Sequence, residues 1–353
     1  MRIVERYIGR TLISHVLIVL LVLLSIYFFS TLMAEMGNVG KGSYSSMDAV
    51  IYSLMLLPRQ AYELFPLVAM VGTILGIGSM ASHNELTVLR AAGVSIKRLA
   101  LAVMKTGTLL ILIVLLIGEI LAPYLEKQAH SQRLSALAKS VSLNASDGLW
   151  ARDGTDFISI SRLILGGQAS GIRRYRFEGQ QLIGIDYASQ GQYEEGGWRV
   201  KAVLRTVLAP ERVKTEYVEE ELWPSTLTPE VVNVATIAPE NLALLELFEF
   251  VDYLRENALA TQHYETAMWV RLFTPLATGG MILLALPFVF GSLRGVTIGH
   301  RVMVGSLLGI GFYLVNGVFS RLGLIFDIDP LISAGTPTLL VYLIWFYMMR
   351  RIY

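Results

Sequence analysis

A polar block of about 137 residues, Glu126 to Gln262, separates two groups of three apolar segments. A bilayer core about 30 Å thick takes about 20 apolar helical residues. Six segments approach that length, at about 12–33, 65–81, 99–121, 268–290, 302–322 and 332–349. The second is the shortest, and the apolar stretch before it contains Pro58 and Pro66, so an interfacial helix is expected to lead into it. Only a membrane helical bundle with a soluble insertion accommodates this layout. Composition agrees: 54% of residues are hydrophobic and 16% charged, against about 25% charged in soluble domains. The insertion holds 14 of the 29 basic and 19 of the 28 acidic residues. The chain divides as 1–125 with three spans, 126–262 as the insertion and 263–353 with three more.

Charge placement orients the spans. Eleven basic residues flank them on one side, among them Arg6, Arg10, Arg90, Lys97, Arg294 and Arg351, against Lys41, Arg59, Arg271 and Arg321 on the other. By the positive-inside rule both termini are expected in the cytoplasm and the insertion in a periplasm-like space. The charged start MRIVERYIGR leads into an apolar run without a small-residue cleavage site, which reads as a retained first helix. A net charge of +1 gives no long-range field for nucleic acid. With no cysteine, disulfides, thiolate metal sites and cysteine nucleophiles are excluded.

Within the insertion, alternating runs such as TDFISISRL, QLIGIDYA and WRVKAVLRTVL are separated by Gly-containing turns. Period-two alternation predicts antiparallel sheet, with Trp198, Val200, Ala202 and Leu204 on one face and Ile183, Ile185 and Tyr187 together on another. Many short strands favour an all-β sandwich or jelly roll. From about Pro239 the pattern becomes helical.

Enzyme signatures fail in turn. The five histidines are scattered, without H-E-x-x-H or a nucleophile elbow, so no catalytic or metal-ligating set is expected. Asp327 and Asp329 read as loop capping before Pro330. Gly40-Lys41-Gly42-Ser43 lacks the spacing of a phosphate-binding loop. Glu119 and Asn316 lie within spans, but neither supports a proton relay.

Three constellations remain. In ASHNELTVLRAAGVSIKRLA, between the second and third spans, Ser82 is expected to cap a short helix with Glu85 in its first turn. Leu86, Leu89 and Val88 fall on its apolar side, and Gly93 is its stop. Ala91, Ala92 and Gly93 permit close approach by another protein, and Glu85 and Arg90 offer charge. Spacing alone fits an ordinary interfacial helix equally well. Beyond the third span, Lys127, His130 and Arg133 recur every three residues along one helical side, suited to lipid phosphates or to a solvated, snorkelling face. Near the first two spans, Ile26, Phe28, Phe29, Phe65 and Leu67 suit either an acyl-chain cavity or ordinary lipid contact.

The ERYIGRT start, the PLVAMVGTILGIGSMASHNELTVLRAAGVS run, GEILAP and FVFGSLRGVTIGHRV resemble the LptF/LptG permease family, the inner-membrane permease pair of the lipopolysaccharide export ABC transporter. The resemblance spans essentially the whole chain. It implies six helices with a periplasmic jelly roll. It also implies a coupling helix at about 82–97, seated in a groove of an LptB-like ATPase dimer through Glu85, Leu86, Leu89, Arg90, Ala91 and Gly93. An LptF-like paralogue, an LptC-like periplasmic bridge protein, membrane lipid and lipopolysaccharide are the implied partners. ATP-Mg is used by the ATPase, with no cofactor bound by this chain. An anionic lipid A strengthens the headgroup reading of Lys127, His130 and Arg133, to which Lys41 is added. Family members can carry more basic residues where this chain has TLMAEMGNVGKG, with Lys41 alone.

The implied function is extraction of lipopolysaccharide from the outer leaflet of the inner membrane and its transfer to the bridge. An alternative is a mechanotransmission permease that drives a periplasmic partner without carrying substrate. A membrane-bound hydrolase predicts a catalytic cluster in the insertion, which the sequence does not display. A structural scaffold predicts no ATPase contact.

Overall fold

The computed structural model describes residues 2–137, 149–164, 168–179, 181–194, 196–209, 212–225, 227, 239, 242–290 and 296–352. Arg294 and most of the glycine-containing part of FVFGSLRGVTIGHRV lie outside the described residues. The chain forms two compact units, one of Met1–Val141 with Glu265–Tyr353 and one of Ser142–Tyr264.

The first unit opens with α1 (Arg2–Met36), about 50 Å long at 1.5 Å per residue. The expected lead-in to the second span is α2 (Ser46–Met55), started by a reciprocal Ser45–Asp48 capping box. After Leu56 the chain enters α3 (Leu57–Ser82), which begins earlier than the apolar pattern suggested. Pro58 sits in its first turn, where a missing N–H costs no helical bond. Two residues later comes α4 (Glu85–Ala91), then α5 (Ile96–Leu116), a π-helical turn (Ile117–Leu121) and α6 (Ala122–Leu137) without a break. After the insertion the chain continues through α8 (Gln262–Phe290), α9 (Ile298–Ile325) and α10 (Pro330–Ile352), α7 belonging to the other unit. Among the described residues, six helical stretches are long and apolar enough to cross a membrane.

Of these, α3 is the hub, buried along most of its length, while α1 and α9 stay largely exposed. One apolar cluster joins Leu12 and Val16 of α1, Phe65 and Val68 of α3, Val103 and Val114 of α5, and Leu286 of α8. A second joins Met70 and Ile74 of α3 to Met281 of α8 and Val341 of α10. The four-residue glycine spacings set these contacts, as small residues allow close helix approach. A Cβ on Gly72 would meet Val16 Cα at 2.7 Å, and one on Gly305 would meet Val71 Cα at 3.4 Å. Gly311 meets nothing.

The second unit is the expected all-β insertion. Its strands are β1 (Leu149–Asp153), β2 (Asp156–Ile164), β3 (Gln168–Glu178), β4 (Gln181–Glu194), β5 (Gly197–Ala209) and β6 (Arg212–Pro224). They pair antiparallel in sequence order, so the all-β expectation holds and, among the described residues, the strands form one six-stranded meander rather than the two Greek-key sheets of a jelly roll. Gly154, Gly179 and Gly196 supply the positive φ of three connecting turns. Helix α7 (Leu244–Glu256) buries Leu247, Phe250 and Val251, and the Tyr253 hydroxyl donates to the Arg152 carbonyl at 2.8 Å.

The strand faces need one correction. Gly171 (φ 65°) and Ala202 (φ 52°) take left-handed backbone, and ladder pairing skips both while the register on either side is kept. The inward face shifts by one residue at this crease. Trp198 and Val200 are buried before it and Val203 after it, which leaves Leu204 outside. Strict alternation had placed Leu204 with Trp198. On β4, Ile183, Ile185 and Tyr187 do share a face, but the buried one carries Gly184, Asp186 and Ala188.

Candidate functional site

At one end of the helical unit, α4 stands between α3 and α5. Ser82 does not cap it: Ser82 ends α3, and its hydroxyl donates to the Gly78 carbonyl at 3.0 Å. The N-cap position is Asn84, in left-handed backbone (φ 61°) and without a side-chain cap bond. Leu86 is buried and Leu89 packs against the bundle core, as expected, but Val88 is 66% exposed. Ala91, Ala92 and Gly93 are exposed with Arg90. Gly93 ends the helix at φ 86°, and the Val94 N–H returns to the Leu89 carbonyl at 3.0 Å. Glu85 accepts from the Tyr7 hydroxyl of α1 at 2.9 Å. The result is a short helix with an apolar underside and a small-residue, lightly charged outer face.

At the opposite end, three donors converge on one oxygen of Glu35. Arg133 Nε, the Tyr44 hydroxyl and Asn38 Nδ2 reach Glu35 Oε2 at 2.9, 3.1 and 3.3 Å. Burial, then the Glu35 contact, pushes the Tyr44 phenol up. Lys41 donates to Asn38 Oδ1 at 2.9 Å. His130 meets the edge of Tyr52, and the Arg133 guanidinium lies over that ring at 5.4 Å. Lys127 is exposed on α6. Arg133, His130 and Lys41 therefore belong to one network, and Arg133 already has an internal counter-charge. The sequence reading missed Glu35, because its partner is 98 residues away.

The five apolar candidates do not form one lining. Ile26 and Phe29 point outward from α1, Phe28 meets Phe29 edge to face, Phe65 is buried in the core, and Leu67 packs against Gly309 of α9.

Inside the helical unit the structure assembles a second charge group. Arg271 Nη1 of α8 donates to both oxygens of Glu119, in the π turn, at 3.0 and 3.2 Å. Arg59 pairs with Glu63 at 2.8 Å, and its Nη1 is buried with no hydrogen-bond partner among the described residues. Tyr62 sits between the pairs, its ring against Gly118 and its hydroxyl 3.5 Å from the Arg271 carbonyl. A π turn inserts one residue into the helical phase, which aims Glu119 at α8. Opposite charges at similar depth in two apolar spans were the available signal.

The insertion carries a third group on its buried face. Asp186 is fully buried, with Arg174, Arg176 and Arg205 at 2.7, 3.2 and 3.5 Å. Arg205 also pairs with Glu221, which holds that carboxyl below its usual range. Arg174 stacks over Trp223 at 4.3 Å.

A membrane unit of six spans, a displayed helix after the second span and an inserted sheet before the fourth are the features against which known families can be compared. The sequence profile described as "Lipopolysaccharide export system permease LptF/LptG" matches residues 6–351. The chain belongs to the LptF/LptG permease family. Within that family, the chain is 33% identical over 353 residues to the lipopolysaccharide export system permease protein LptG of Escherichia coli strain K12, covering 99% of this chain and 98% of that protein. It is 31% identical over 351 residues to the LptG protein of Haemophilus influenzae, covering 98% of each. The LptF/LptG match covers both units, so the inserted sheet belongs to the family architecture.

Proposed function

We propose that this chain is the permease subunit of an ATP-driven lipopolysaccharide exporter, seated in the inner membrane with both termini and α4 in the cytoplasm and the insertion in the periplasm. It pairs with an LptF-like paralogue, receives force from an LptB-like ATPase dimer that uses ATP-Mg, and meets an LptC-like bridge. One observation carries the reading: α4 is anchored by buried Leu86 yet presents Val88, Arg90, Ala91, Ala92 and Gly93 to solvent, the form of a helix built to seat in another protein's groove. The names of the relatives, as permeases of a lipopolysaccharide export system, supply the substrate.

Glu35 refines the headgroup reading. A lipid phosphate at Arg133 would have to compete with Glu35, so exchange of one anion for another accompanies binding there. The cluster around Asp186 bears on the insertion. Acyl chains gain nothing from a slot lined by guanidinium and carboxylate groups, which supports docking of a neighbouring domain over lipid passage at that end of the sheet.

The test is Glu85→Ala in the assembled transporter. The expected result is weaker ATPase association and reduced ATP turnover. Wild-type assembly together with wild-type turnover would overturn the coupling reading of α4.

A further inference from the structure

The Tyr7–Glu85 hydrogen bond joins α1 to α4 across 78 residues of sequence. Helix α4 has seven residues, and Asn84 makes no side-chain cap bond, so α4 itself does little to fix the Glu85 carboxylate. Below it, Leu86 and Leu89 share an apolar cluster with Val4 and Ile8 of α1. Glu5, on the next-but-one residue before Tyr7, holds Lys105 of α5 at 3.2 Å. The first two turns of α1 therefore form a fixed base beside α4. Tyr7 is 49% exposed, so its hydroxyl has water available and burial does not force it to bond Glu85. Among the described residues Glu85 Oε1 has no such donor.

We propose that Tyr7 is a positioning residue for Glu85. By holding Oε2 it turns Oε1 outward to accept a cationic side chain of the ATPase. The proposal rests on the coupling reading of α4. A glutamate has three side-chain torsions, and a partner that needs one arrangement binds more weakly by the fraction of time that arrangement is absent. Tyr7 removes that loss before the partner arrives. A phenylalanine at this position keeps the ring's packing and loses only the donor.

The experiment compares Tyr7→Phe, Glu85→Ala and the double variant in the complete transporter in nanodiscs, reading the dissociation constant of the ATPase and the rate of ATP turnover. Loss of one exposed charge-assisted bond predicts about fivefold weaker binding for Tyr7→Phe. A larger loss is expected for Glu85→Ala, with no further loss in the double variant. If Glu85→Ala weakens binding while Tyr7→Phe is silent, positioning is refuted and coupling stands. An equal Tyr7→Phe loss with or without Glu85 means that the hydroxyl acts independently of Glu85, and also refutes the proposal. A silent Glu85→Ala removes the coupling reading and this proposal with it.

Discussion

Breaking the Arg271–Glu119 pair tests how the helical unit holds its charge. The Arg271 side chain is 5% exposed and that of Glu119 20%. Removing one partner of a buried pair strands the other and costs about 3–5 kcal/mol. The two single changes should differ in a defined order. Glu119→Leu leaves the deeper charge, Arg271, without its carboxylate, so its cost falls near the upper end. Arg271→Met strands the shallower Glu119, and Arg59, with a buried and unpartnered Nη1, is placed to turn toward it. That cost falls near about 3 kcal/mol or below. The double variant restores neutrality and is expected to cost no more than the milder single change, giving a coupling at least as large as the Glu119→Leu cost, about 4–5 kcal/mol. Reversible unfolding by SDS titration in mixed micelles, followed by tryptophan fluorescence, reads all four corners of the cycle. Strictly additive single changes, or singles within about 1 kcal/mol of wild type, would refute the reasoning.

Two further outcomes concern the insertion. Ala202 has left-handed backbone (φ 52°), which costs an L-residue about 1–2 kcal/mol. Ala202→Gly should therefore raise stability by up to about 1 kcal/mol and Ala202→Val lower it, as read by thermal unfolding; the reverse order would disprove the crease. The Tyr253 phenol is pushed up to about 12, chiefly by burial and then by Asp153. A raised pKa means the neutral form favours the folded state: this contribution is complete below pH 10 and is lost as pH rises through about 12. The difference in 295 nm absorbance titration between wild type and Tyr253→Phe should show one phenol titrating near 12, and a midpoint near 10 would contradict its burial.

The spans were legible because apolar runs of bilayer length have few alternative uses, and the strands because Gly-containing turns punctuate a period-two pattern. What escaped was phase and pairing. Ala202 carries no turn signal, yet its backbone reverses the faces of β5, so Val203 goes inward where alternation had placed Leu204. The π turn shifts α6 against α5, a one-residue change that apolar composition does not encode. Glu35–Arg133 and Glu119–Arg271 join residues 98 and 152 apart, distances at which charge patterning along one helix is silent. Spacing placed Lys127, His130 and Arg133 on one helix, but it did not reveal the carboxylate that pairs with Arg133. The displayed helix was found as well, whereas its contact with Tyr7 was hidden by the same separation in sequence.

Only His83 and Asn84 separate α3 from α4, which gives that joint the form of a crank rather than a tether. Two residues leave little slack, so a push received at α4, as proposed above, would pass to α3 nearly undiminished. Helix α3 lies against α1 through Gly72 and against α9 through Gly305 and Gly309, contacts too close to slide without lifting. The helices most exposed to the surroundings thus pack tightly on the one that is least exposed, and a displacement of α3 would be passed to both.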